Sequence, residues 1–168
     1  MRYGPTVSLV SGRLVACYFD TCEIFQEGSW QHLQHTTFRR SDHSSASTEN
    51  AVLLIGGMYS KTTEWIPVDG SPALQGPFTV QYRHGYDHCT IQISANIIVV
   101  TGGMSTISYV TQYDLVEGNE TPLAPLGQPR NSHACGVYQD AGGQQVRKRL
   151  SCCNQCSVWL HFEMHMIF

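Results

Sequence analysis

The feature that most constrains this chain is a stretch that occurs twice. Asn50-Ala51-Val52-Leu53-Leu54-Ile55-Gly56-Gly57-Met58 returns as Asn96-Ile97-Ile98-Val99-Val100-Thr101-Gly102-Gly103-Met104, an offset of 46 residues. Asn, an apolar run, Gly-Gly and Met all keep their places. A second series runs with the first: Asp42-His43-Ser44, Asp87-His88-Cys89 and Ser132-His133-Ala134 follow one another at 45 residues. An apolar run of this length is strand-sized, and a strand apolar at every position must be covered on both faces. Glycine at its end allows a positive φ and a close approach of neighbouring backbone. Such a strand recurring at roughly 40 to 50 residues is the sequence signature of β-propeller blades, each a small antiparallel sheet.

Within that architecture the spelling resembles the kelch repeat. Gly-Gly closes the second strand of each copy, and an aromatic follows it: Trp65 after Gly57 and Tyr113 after Gly103. Arg40-Ser41-Asp42-His43 and Arg130-Asn131-Ser132-His133 share an Arg-x-x-His opening, and Ser29-Trp30-Gln31-His32-Leu33 resembles an outer strand. The resemblance implies an all-β chain: an incomplete kelch-type β-propeller of two to three four-stranded antiparallel blades with a non-propeller C-terminal tail. It divides residues 1–146 into a partial repeat (about 1–37), two full ones (38–82 and 83–129) and a partial one (130–146). His43, Gly56, Gly57, Trp65, His88, Gly102, Gly103, Tyr113 and His133 are then structural repeat residues. Three positions depart from the pattern: Tyr18-Phe19 stands where Gly-Gly belongs, Gly85 replaces the Arg of the second repeat, and the outer strand around Phe78–Val80 lacks Trp. Two aromatics resist positive φ, so the turn at Tyr18-Phe19 is expected to differ from its equivalents.

Strands are expected at 13–17, 21–25 and 29–33, then at 51–55, 62–66 and around 78–80. The next repeat supplies 89–93, 97–101, 109–113 and an outer strand at Leu123–Leu126. The third repeat opens at Arg130 and should continue into an apolar strand after Gln145-Val146. Arg147-Lys148-Arg149 occupies those places instead, and cations in a strand buried on both faces would each cost several kcal/mol. Residues 147–168 are therefore expected to lie outside the propeller, either disordered or the product of a mis-spliced gene.

The chain has 168 residues, a formal charge of −3 and only 14% charged residues against 42% hydrophobic. No basic field for nucleic acid or anionic lipid is present, and no apolar run is long enough to span a bilayer. Without a signal-like N-terminus the expected location is cytoplasmic, or secreted if a longer parent carries a signal peptide. Cys17 and Cys22 flank a hairpin and are read as small buried hydrophobes in preference to a disulfide. Asn119-Glu120-Thr121 is a glycosylation sequon, with Pro122 directly after it.

Chemistry-bearing motifs are sparse. The Gly-Gly pairs precede neither Lys-Ser/Thr nor a helix, which excludes a phosphate loop. The histidine series could converge on a channel, yet a hydrogen bond to a neighbouring strand is the simpler role, so no metal is expected. Tyr82, Tyr86, His88 and Cys89 offer the residue types of a propeller copper oxidase but crowd one strand. Cys153-x-x-Cys156 and His161-x3-His165 lie too close together for a zinc finger. No cofactor and no catalysis are expected. Kelch-like repeats are mostly interaction modules, so the expected partner is another protein, of unknown identity, with association through open blade edges also open to it. The alternative is a fragment of a propeller enzyme or of a secreted carbohydrate-binding protein. In a blade the turns between second and third strands share a face with the links between blades. Tyr59, Lys61, Tyr82, Arg83, Tyr86, Ser105 and Arg130 are the candidate binding residues there, being types common at hot spots or exposed in those loops.

Overall fold

The computed structural model describes residues 5–80, 85–104, 108–139, 148–153 and 160–163. Among these, every regular element is a strand: β1 (Thr6–Val10), β2 (Arg13–Gln26), β3 (Ser29–Arg40), β4 (Ser44–Ser47), β5 (Ala51–Ile55), β6 (Thr62–Pro67) and β7 (Leu74–Thr79), then β8 (Cys89–Gln92), β9 (Ile97–Thr101), β10 (Val110–Asp114), β11 (Glu120–Pro122), β12 (Ala134–Gln139), β13 (Lys148–Cys153) and β14 (Leu160–Glu163). They form four antiparallel sheets in chain order: β1-β2-β3, β4-β5-β6-β7, β8-β9-β10-β11 and β12-β13-β14. The first strands of successive sheets are neighbours, β1 beside β4, β4 beside β8 and β8 beside β12.

The core explains why β5 and β9 are apolar without interruption. Val52 and Leu54 face the first sheet, packing with Val10, Val15, Cys17, Cys22 and Ile24. Leu53 and Ile55 face the other way, into a cluster with Phe78, Ile98, Val100 and Tyr113. The alternation repeats in β9, where Val99 joins Ile91, Val110 and Leu126 on the side of the fourth sheet. Each fully buried Leu, Ile or Val contributes about 1.5–3 kcal/mol, so a polar substitution on either face of these strands opens a sheet–sheet seam. Trp65 lies partly buried against the second cluster, and Tyr113, fully buried, stacks on Phe78 at 4.3 Å.

The first sheet departs from expectation in two ways. The Cα atoms of Cys17 and Cys22 are 4.1 Å apart, where five residues of extended strand would span about 17 Å. β2 therefore doubles back between them, as a hairpin of the second and third strands would. The two cysteines are buried, as expected, but they are joined as a disulfide rather than left as thiols. A second disulfide, Cys89–Cys135, ties β8 to β12 and so links the third and fourth sheets covalently. At the tip of the β2 turn Phe19 does take a positive φ, 52°. The cost of about 1–2 kcal/mol is offset by contacts: its ring meets Tyr59 edge-on at 6.1 Å and lies under Arg39 at 5.2 Å.

The C-terminal expectation is corrected. Lys148 and Arg149 belong to β13, paired with Gln139 and Tyr138 of β12, and β14 adds a third strand. The burial penalty assigned to these cations assumed a sheet on both sides of the strand. The pairing shows that these cations do not end the sheet. The outer strand of the third sheet also shifts, from the expected Leu123–Leu126 to β11 at Glu120–Pro122.

Candidate functional site: the stitched loop end

Antiparallel order brings the β5–β6 and β9–β10 turns to the same end as the links that precede β4, β8 and β12. Backbone hydrogen bonds sew these segments together. Met58 N–H donates to Ser41 O (2.8 Å) and Gly57 N–H to Gly85 O (3.3 Å). One repeat on, Met104 N–H donates to Tyr86 O (2.9 Å) and Gly103 N–H to Arg130 O (3.1 Å). A third line joins the residues just before the histidines: Asp87 N–H donates to Asp42 O and Ser132 N–H to Asp87 O, both 3.0 Å. Asp42, Asp87 and Ser132 all have left-handed φ (54°, 59° and 46°), a conformation Asp tolerates better than most residues. The repeat thus includes a non-glycine αL residue that the Gly-Gly spelling does not announce.

The two sequence series prove to be halves of one joint. A Cβ at Gly56 would lie 2.9 Å from His88 Cε1, and a Cβ at Gly102 would lie 2.5 Å from His133 Cε1. The first glycine of each pair is therefore the seat of the next sheet's histidine. At the second glycine, Gly57 (φ 115°), a Cβ would stand 3.0 Å from Ser41 O. His43 Nε2 is 2.9 Å from Thr6 Oγ1 of β1, and His133 Nε2 is 2.8 Å from Thr101 Oγ1 of β9. His43 and His133 thus each make a hydrogen bond into the preceding sheet.

Burial, with the neighbouring Arg40 charge, lowers the pKa of His43 to about 4; burial, with Arg130, lowers that of His133 to about 4. Against an unfolded value near 6.5, both imidazoles are neutral in the fold while the unfolded chain takes up protons first on acidification. Their contribution is complete above about pH 6.5 and is lost as pH falls towards 4, up to about 3 kcal/mol for each. Asp87 acts with the opposite sign, because burial and then the Asp42 charge raise its pKa, so its protonation favours the fold. Unfolding followed from pH 7 to 4.5 is expected to show stability falling in the wild type and a flatter slope in a His43→Gln/His133→Gln double variant. Equal slopes would contradict this assignment.

One buried ion pair supports the loop end from below. Arg40 is fully buried, with Nη2 3.3 Å from Glu64 Oε2. It also donates to Gly56 O (3.0 Å), to Thr62 Oγ1 (2.9 Å) and to Thr62 O, while Glu64 Oε1 accepts from Thr37 N–H. The link ahead of β4, the Gly-Gly turn and β6 are held by this one guanidinium. Desolvation lowers the Arg40 pKa, an effect the Glu64 carboxylate opposes. Glu64 had no place among the expected repeat residues; its counterpart beside Tyr113 is Gln112, so no repetition marked it.

The expected binding residues divide. Tyr59 is 57% exposed and Lys61 is exposed, while Tyr86 is half-buried with its carbonyl taken by Met104. Arg130 is buried, which corrects its placement as a surface contact: like Arg40, it sits beneath the turns in the Arg-x-x-His position. Tyr82, Arg83 and Ser105 lie outside the described residues. Met58 adds exposed apolar surface next to Tyr59 and Met104 does so on the following turn, where Asn131 Nδ2 reaches Met104 Sδ at 3.5 Å. Phe19 also belongs here, missed because the aromatic pair replacing Gly-Gly was read only as a defect in the turn.

No family model matches the chain, and no curated protein does. Among solved structures it is similar to one described as the structure of YjhT, with a TM-score of 0.69 at 8% identity over 94% of this chain. At that identity the likeness is one of fold. The chain spans 64% of that neighbour's length.

Proposed function

We propose that this chain is part of a kelch-type β-propeller acting as a protein-binding module, with no catalysis of its own, through the loop end described above. The architecture is supported by four sheets in chain order with their first strands adjacent, and by a His-on-Gly joint that repeats with the sequence period. A chain spanning 64% of its structural neighbour leaves room for further sheets in a closed ring. The observation that carries the function is that Tyr59, Met58 and Met104 stay exposed on turns whose backbones are hydrogen-bonded to the adjoining links. Aromatic and methionine side chains held on rigid loops lose little entropy on binding and are typical interface anchors.

The two disulfides favour an oxidising compartment over the cytosol, which keeps the secreted carbohydrate-binding alternative in view. The immobilised chain should retain a secreted protein that, once purified, binds it in titration. Tyr59→Ala is expected to weaken that affinity by about 30-fold, the ~2 kcal/mol of a hot spot, with a stability loss no larger than the about 0.5–1.5 kcal/mol of its edge-on contact with Phe19. Leu74→Ala is the control, because Leu74 is equally exposed but stands at the far end of edge strand β7. Equal affinities for wild type and Tyr59→Ala would overturn the assignment of this end. Binding of free glycans, lost in Tyr59→Ala, would decide for the alternative.

A further inference from the structure

We propose that Asn119 is an acceptor for an N-linked glycan, placed so that the sugar screens the outer edge of the third sheet and leaves the loop end clear. The inference rests on the oxidising-compartment reading above. β10 starts at the loop end, where Gly102 N–H donates to Tyr109 O, and runs away from it, so the β10–β11 turn lies at the opposite end. That turn is well defined. Asp114 Oδ1 accepts from Val116 N–H and Glu117 N–H at 2.8 and 3.0 Å, and Gly118 N–H donates to Asp114 O at 3.0 Å. Gly118, at φ 70°, packs against Pro77 O of the second sheet, and Asp114 N–H donates to Asn119 O at 2.9 Å. The backbone at Asn119 is thus fixed from two sides.

Asn119, Glu120, Thr121 and Pro122 are nevertheless all exposed. Among the described residues β11 pairs only with β10, and an edge strand of this kind invites pairing with another chain unless something blunts it. Pro122 does so at one position, and a glycan on Asn119 would do so at the strand's start. A sugar added to the nascent chain would project into solvent after folding and displace no packed group. The step is a substitution. Asn119 Nδ2 attacks the anomeric carbon of a lipid-pyrophosphate-linked oligosaccharide, a C–N bond forms and the C–O bond to phosphate breaks. The lipid pyrophosphate leaves with the bonding electrons and the amide proton passes to a base; nothing is oxidised or reduced.

The test is to direct the full chain into the secretory lumen of a eukaryotic cell and treat the product with an amidase that removes N-linked glycans. Wild type and Thr121→Ser should gain mobility on treatment and carry aspartate at 119 afterwards; Asn119→Gln and Thr121→Val should not change. Pro122 holds Thr121 extended, so Pro122→Ala should raise the glycosylated fraction. A wild-type chain that carries both disulfides by non-reducing peptide mapping, yet no glycan, would overturn the proposal and leave the compartment reading intact. Free cysteines together with no glycan would overturn both.

Discussion

Glu64→Ala is expected to lower the stability of this chain by about 3–5 kcal/mol, the cost of leaving a buried charge without its partner. For a chain of this size that corresponds to a fall in Tm of roughly 10 °C. The effect is large because Arg40 cannot escape to solvent. Its guanidinium is fully buried and also committed to Gly56 O, Thr62 O and Thr62 Oγ1, so losing the carboxylate strands a cation at the base of the Gly-Gly turn. The same substitution removes the acceptor for Thr37 N–H. The exposed pair Arg39–Asp20, 3.8 Å apart, supplies the contrast: Asp20→Ala should cost less than about 1 kcal/mol. Chemical unfolding of these variants decides the matter. A loss at Glu64→Ala no greater than at Asp20→Ala would show that the pair is not what holds this corner.

What could be read in the sequence follows from which residues have only one physical use. Ala51–Ile55 and Ile97–Thr101 emerge as strands with the expected bounds, because a short apolar run between Asn and Gly-Gly admits a strand covered on both faces and little else. The glycines and histidines were each read as structural, but their mutual contact was not. It joins residues of different repeats, Gly56 with His88 and Gly102 with His133, and periodicity cannot say which copy touches which. Arg130 shows the converse difficulty. Its residue type suits a binding surface, while its place in the Arg-x-x-His spelling matches the buried Arg40, and the place prevails. At Lys148 and Arg149 the inference failed at its conclusion, since a run of cations was read as leaving the sheet and both residues pair within it. The disulfides were missed because Cys17 and Cys22 satisfy the core equally well as thiols; bonding depends on Cα positions only the folded hairpin fixes. In the loop end, Tyr59 was legible because an exposed turn is a local property. Phe19 was not, because its partner Tyr59 lies in the next sheet.

The claim on which the rest stands is that the first glycine of each pair is the seat of the following sheet's histidine, and Gly102→Ala tests it most directly. A Cβ there would fall under 3.0 Å from both Arg130 O and His133 Cε1, and neither can withdraw without moving the link into β12. Gly102 also has φ 64°, so part of any loss would be the about 1–2 kcal/mol of placing alanine in the left-handed region. Gly70→Ala measures that part alone, because Gly70 has φ 83° and nothing within 4 Å of its would-be Cβ. Equilibrium unfolding of the two variants side by side should give a loss for Gly102→Ala greater than that for Gly70→Ala by about 1–3 kcal/mol, the range expected for forced overpacking. Equal losses would mean that the sheets do not meet at this glycine, and would contradict the joint.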